Sequence, residues 1–106
     1  MANNTVLYKK EFEEDIDEIY NYIFRNSEQN ARKFSDEVKS IILWIIKNPT
    51  AGNLETKIYS KNNWYRYKIV MKSWKIIYKL TKTTITFLRI IHVKRNSEKL
   101  QNLIPK

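Results

Sequence analysis

The spacing of apolar positions changes twice along the chain, and each change marks an element. Thr5-Val6-Leu7-Tyr8 is a β-prone run after a polar start and predicts a first strand of about five residues. The period then lengthens. Phe12, Ile16, Ile19, Tyr20 and Ile23 recur at three- and four-residue steps, the stripe of one helix face, which predicts a helix from about Glu11 to Arg25. Glu11, Glu13, Glu14 and Asp15 load its first turns with the charge that the helix dipole favours there, and read as a solvated face. They do not read as a calcium loop, because no glycine is present to make its sharp turn. Asn26-Ser27-Glu28 interrupts the pattern, and a Ser or Asn cap there starts a second helix with Ala31, Phe34, Val38, Ile41, Ile42 and Ile45 on one face. Pro49 and Gly52 end it. Trp44 and Ile46 lie off that stripe, so the last turns are apolar nearly all round and are expected to be covered on two sides. Two striped helices with a short link predict a helical hairpin.

Beyond Gly52 the period falls to two. Residues 64–71, 74–80 and 84–92 are aromatic and β-branched runs separated by Lys72-Ser73 and Thr81-Lys82-Thr83, which predicts an antiparallel meander. In the middle run Trp74, Ile76, Tyr78 and Leu80 fall on one side, and Lys75, Ile77 and Lys79 on the other. Tyr78 is expected in the core with its hydroxyl bonded near an edge. In the last run an unbroken alternation puts Leu88 and Ile90 on one side and Arg89, Ile91, Val93 and Arg95 on the other, so that Lys75, Lys79, Arg89 and Arg95 share a face. Leu100, Leu103 and Ile104 give the tail weak helical spacing; residues 1–4 and about 97–106 are the segments expected to be loose. The fold class is therefore α+β, order β-α-α-β-β-β: an N-terminal strand, then a helical hairpin on one face of a twisted antiparallel sheet, forming one domain over 1–106.

Composition narrows the chemistry. The 106 residues include no Cys and one His, so thiolate chemistry, disulfides and multi-His or sulfur-ligated metal sites are excluded. A single glycine excludes the phosphate-cradling loops of nucleotide-binding folds. No cofactor and no metal are expected. The longest apolar run, Ile41 to Ile46, is far short of the ~20 residues that span a membrane, and the N-terminus lacks a secretion signal, so a soluble cytoplasmic protein without a membrane partner is expected. Charge is uneven. Residues 1–53 carry seven basic and nine acidic side chains, whereas residues 54–106 carry thirteen basic and two acidic ones. A second half of that sign favours a polyanionic partner, through counterion release and steering.

With these elements in order, the chain resembles the RelE/ParE superfamily of bacterial type II toxin–antitoxin toxins, also called plasmid stabilisation proteins, from Val6 to about Leu100. The resemblance rests on Asn48-Pro49-Thr50-Ala51-Gly52 closing the second helix, on Trp74-Lys75-Ile76-Ile77-Tyr78-Lys79-Leu80, and on Ile90-Ile91-His92-Val93-Lys94-Arg95 at the end of the last strand. It implies a toxin silenced by a cognate acidic antitoxin in a hetero-oligomer, with operator DNA contacted only through that antitoxin. The target it implies is either DNA gyrase, for ParE-like members, or the ribosome with its mRNA, which RelE-like members cut.

RNA cleavage by 2′-hydroxyl attack needs a proton acceptor, a donor and fixed cations for the phosphorane charge. His92, whose ordinary pKa lies near neutrality, Arg95 and Lys75 are the catalytic candidates. Lys75 stands where the family carries arginine and loses its bidentate fork. The tyrosine that RelE-like members carry shortly after the last arginine is missing from Asn96-Ser97-Glu98-Lys99-Leu100-Gln101, which places the chain nearer the ParE-like or unassigned side. Arg66, Lys79, Arg89, Lys94 and Tyr65 are candidates for nucleic-acid or target binding. Trp64, Tyr65 and Tyr67, interleaved with Arg66 and Lys68, have the composition of a base-stacking surface. Three readings stand: a ParE-like toxin, a metal-independent endoribonuclease, and a non-toxic basic nucleic-acid-binding module.

Overall fold

The computed structural model describes residues 4–56, 58, 64–94 and 100–104. The stripe of the first helix is buried: α1 (Lys10–Phe24) places Phe12 and Ile19 in the core with Ile16, Tyr20 and Ile23 packed against it. Ser27 starts α2 (Glu28–Lys47), its hydroxyl accepting the Asn30 N–H at 3.1 Å, one of the donors that a helix start otherwise leaves open. Ala31, Phe34, Val38 and Ile45 turn inward from α2. Trp44 and Ile46, off the stripe, also pack against the core, and Trp44 is covered from outside by the Lys68 ammonium 4.4 Å from its ring centroid.

The sheet has the order β1-β5-β4-β3-β2, formed by β1 (Thr5–Tyr8), β2 (Asn53–Leu54), β3 (Tyr65–Val70), β4 (Trp74–Leu80) and β5 (Thr84–His92). It is mixed and not antiparallel throughout. β1 runs parallel to β5, from Thr5 opposite Thr84 to Tyr8 opposite Phe87. The cause is β2, which the sequence pattern did not reveal: it reverses the chain once more before the meander, so β5 arrives running with β1.

A second departure lies between β4 and β5. Ile77 pairs with Arg89 but Tyr78 pairs with Phe87, leaving Leu88 as an extra residue in a β-bulge. Ile85, Phe87 and Ile90 consequently face the helices, while Leu88 and Ile91 face the other side with Ile77. The expected pairing of Leu88 with Ile90 on one side is corrected, because the bulge shifts the alternation by one residue within β5.

On the helix side, Phe12, Phe34, Tyr78 and Phe87 are fully buried, with the Phe87 ring 5.4 Å from Phe12 and 5.2 Å from Tyr8. The Tyr78 hydroxyl donates to the Pro49 carbonyl at 2.8 Å, which satisfies its polar end as expected. It also explains Gly52. That residue has φ −68°, open to any side chain, but a Cβ there would lie 2.1 Å from the Tyr78 hydroxyl oxygen, so space demands glycine. On the far side Ile58, Ile77, Leu88 and Ile91 form a smaller cluster, against which Tyr65, Tyr67, Leu103 and Ile104 pack. Leu103 belongs to a short helix, α3 (Leu100–Leu103), where the weak periodicity of the tail predicted one.

The turn from β3 to β4 is strained. Met71 and Lys72 have φ of 50° and 63°, a region that costs an L-residue about 1–2 kcal/mol. Glu37 of α2 holds the turn by accepting the Met71 N–H at 3.2 Å.

Candidate functional site

The far side of the sheet carries lysines laid over aromatic rings. Alternation along β4 sends Lys75 and Lys79 there, and the register sets Tyr65 opposite Lys79 and Tyr67 opposite Ile77. The Lys75 ammonium sits 4.2 Å from the Tyr67 ring centroid, and the Lys79 ammonium 4.8 Å from Trp64 and 5.9 Å from Tyr65. Such contacts hold long side chains in place while leaving their charge available to an anion. Lys75 is more constrained, donating to the buried carboxylate of Glu55 at 2.5 Å. Glu55 was not singled out by the sequence, since nothing local in its neighbourhood marks it as the partner of a residue twenty positions on.

The interleaving of Tyr65, Arg66, Tyr67 and Lys68 is resolved by the strand into two sides. Tyr65 and Tyr67 face outward with the lysines, whereas Lys68 reaches Trp44 of α2 and Arg66 donates to the carbonyls of Thr50 (3.0 Å) and Gly52 (2.9 Å). Arg66 therefore braces the turn after α2. Its charge also lowers the Tyr78 pKa, but burial, the larger effect, pushes that hydroxyl above its ordinary value.

Arg89 pairs with Ile77 and so keeps the face of Lys75 and Lys79 that simple alternation gives it, but its guanidinium is bound within the protein rather than open to a partner. The side chain reaches α1, where Nε and Nη2 donate to the two oxygens of Asp15 at 2.7 and 2.9 Å, and Nη1 donates to the Leu103 carbonyl at 2.9 Å. The same Asp15 accepts the Ile90 N–H at 2.9 Å, a donor left open where β1 has ended. Asp15 is 5% exposed, not part of a solvated acidic face. Its hydrogen bonds hold the Arg89 guanidinium above its ordinary pKa, overcoming the opposing effect of burial. A signal was present: Asp15 lies three residues after Phe12 and four before Ile19, on the buried stripe. A charge at such a position needs a partner.

His92 lies on the helix-facing side, opposite Trp74 in the ladder, its ring edge-on to that indole at 5.2 Å. Its Nδ1 accepts the Lys94 N–H at 3.1 Å, so a neutral ring carries its proton on Nε2. Lys75 is one residue along β4 from Trp74 and points the other way. The sheet thus separates the histidine from Lys75 and Lys79. Lys94 is exposed just beyond β5, and Arg95 lies outside the described residues. Among the described residues no group of three or more His, Cys, Asp or Glu side chains is placed to hold a metal ion, and no helix is long and apolar enough to cross a membrane.

Around His92 the surface is hollowed. A groove of about 410 Å³ is lined by Tyr22, Ile23, Met71, Ser73, Trp74 and His92, and a second hollow of about 310 Å³ shares Tyr22 and Trp74 and extends along α1 past Glu18 to Arg25.

Comparison with known proteins places this architecture. The family described as "ParE toxin of type II toxin-antitoxin system, parDE" matches residues 6–97. Among solved structures, the fold is similar to a chain of the chromosomal ParDE toxin–antitoxin system from P. aeruginosa, with a TM-score of 0.66 at 18% identity over 87% of this chain and 98% of that one. It is also similar to a chain of the E. coli DinJ-YafQ toxin–antitoxin complex, with a TM-score of 0.59 at 20% identity over 85% and 92% of the two chains. No curated protein matches the chain in sequence.

Proposed function

The chain belongs to the ParE toxin family of type II toxin–antitoxin systems, a growth-inhibiting toxin neutralised by a cognate antitoxin, and from that premise we propose that it acts by binding DNA gyrase in the cytoplasm rather than by cutting RNA. One observation carries the choice. His92, the side chain suited to proton transfer near neutral pH, lies on the helix-facing side beside Trp74, with the sheet between it and Lys75, Lys79 and Tyr65. A phosphate held by the lysines would be out of reach of the histidine. What the lysine-and-ring surface offers is attachment, and Lys79, Tyr65 and Lys94 are the proposed target contacts, with Arg95 as a further cation. Arg66 and Arg89 act behind them, fixing the turn after α2 and the bulge. Operator DNA is reached only through the antitoxin.

Induced expression tests this. The expected result is accumulation of gyrase–DNA cleavage complexes and loss of supercoiling, with toxicity kept in His92→Ala and reduced at least tenfold in Lys79→Glu. Transcripts cut at the ribosomal A site, together with loss of toxicity in His92→Ala, would instead establish the ribosome and its mRNA as target and overturn the reading. An unaffected culture would leave a non-toxic basic binding module.

A further inference from the structure

The cations of the sheet sort by what already holds them. Residues 64–94 contain eight Lys and Arg side chains and no Asp or Glu. Four of the eight are engaged within the protein: Arg66 on the carbonyls of Thr50 and Gly52, Lys68 over Trp44, Lys75 on Glu55 and Arg89 on Asp15. The other four divide between the ends of the strands, Lys72 and Lys94 by the β3–β4 turn, Lys79 and Lys82 by the β4–β5 turn. Carboxylates intrude at the first end, where Glu18 of α1 shares a hollow with Trp74. At the second end a hollow of about 570 Å³ is lined by Trp64, Thr81, Lys82 and Thr83, with no carboxylate among the described residues around it. Its frame is fixed. Thr81 Oγ1 accepts the Thr84 N–H at 3.1 Å and lies 2.6 Å from the Thr84 hydroxyl, while the Thr83 carbonyl accepts the Thr5 N–H at 2.8 Å. Lys82 and Thr83 are thereby held exposed at the tip of the turn. On the facing wall Trp64 is 36% exposed, its carbonyl accepting the Leu80 N–H at 2.8 Å. The Lys79 ammonium covers that indole 4.8 Å from its centroid without lining the hollow.

We propose that this hollow binds one nucleotide of a single-stranded nucleic acid, its base against Trp64 and its phosphates on Lys82 and Lys79. An aromatic plate beside two ammonium groups meets both parts of such a ligand, the π-face of the base and the charge of the backbone. Neither Lys79 nor Lys82 forms an ion pair among the described residues, so a phosphate displaces no carboxylate. A duplex fits less well, because its base faces are stacked on one another and closed to an indole. The lining residues include no Arg, Asn or Gln, the side chains that read base edges in pairs of hydrogen bonds, so binding is tolerant of sequence and leaves the choice of operator to the antitoxin. That the strand is DNA, opened in the gyrase cleavage complex, rests on the function proposed above; the hollow and its cations do not.

Oligothymidylate carrying one 5-iododeoxyuridine, with its ribonucleotide counterpart, tests the proposal on the purified toxin and on the toxin with gyrase. Irradiation couples iodouracil to an aromatic ring stacked on it, and the expected DNA adduct is at Trp64 in both settings. Trp64→Ala and Lys82→Glu are each expected to weaken oligothymidylate binding by about fivefold or more with the melting temperature unchanged. Lys47→Glu, the same change of charge at the exposed end of α2, is expected to leave binding as it was. Equal losses in Lys47→Glu and Lys82→Glu, or an adduct only at residues other than Trp64, overturn the proposal. Ribonucleotide bound about tenfold tighter than DNA overturns the assignment of the strand. A toxin that poisons gyrase and gives no adduct sinks this inference alone. One that couples to the oligonucleotide at Trp64 and never associates with gyrase keeps the hollow as a strand site and sinks the gyrase reading.

Discussion

On its helix-facing side the sheet buries Phe12, Phe34, Tyr78 and Phe87 with no exposed surface, while on its far side Ile77, Leu88 and Ile91 are covered by Ile58 and the short segment carrying Leu103 and Ile104. Both sides are apolar at their centres. They differ in what closes them. Two helices of fifteen and twenty residues close the first, burying their own stripes against it. The second is closed by single side chains and rimmed by lysines lying on aromatic rings. The helix side is accordingly the source of stability, and the far side is the one with charge to offer a partner.

Substitutions on the two sides break or sharpen that contrast. Phe87→Ala is expected to cost about 3–5 kcal/mol, since it empties the point where Tyr8, Phe12 and Tyr78 meet, and denaturant titration measures it. Asp15→Ala follows at about 3 kcal/mol, because it leaves the Arg89 guanidinium and the Ile90 N–H without their acceptor. Leu88→Ala should cost only about 2 kcal/mol, at the low end for a buried leucine, because the thin far-side cover can settle into the space. A cost equal to that of Phe87→Ala would abolish the distinction between the sides. Burial raises the Tyr78 pKa, so above about pH 10 the unfolded chain releases this proton before the folded one does. Stability is therefore full below pH 10 and falls as pH rises toward the shifted value, a loss that Tyr78→Phe removes from a melting-temperature profile. Least of all, Lys79→Ala should change stability by under about 1 kcal/mol, as a half-buried cation–ring contact, while reducing target binding.

Much of this was legible in the chain. The helix stripes, the Ser27 cap, the limits of β4 and β5 and the buried Tyr78 follow from local spacing, which the structure keeps. What stayed hidden depends on contacts between distant residues. The two-residue β2 is too short to show a period, and with it went the direction of β5 relative to β1. The Leu88 bulge has no glycine to announce it, and nothing local to Arg89 marks Asp15, 74 positions away, as the partner that takes it out of the surface. At the candidate site, the sequence identified Lys75, Lys79 and His92 as chemistry-bearing residues, but their placement on opposite sides of one sheet rests on the pairing of Trp74 with His92, a long-range register.

The parallel pairing of β1 with β5 has a consequence for synthesis. Strand β1 has no edge to join until Thr84 to Phe87 have been made. Until then Val6 and Phe12 lack the Phe87 surface they share in the finished molecule, and closure of the sheet is a late event of high sequence separation. A nascent or truncated chain stopping before β5 is thus an incomplete scaffold, with β1 lacking the strand that joins it to the rest of the sheet.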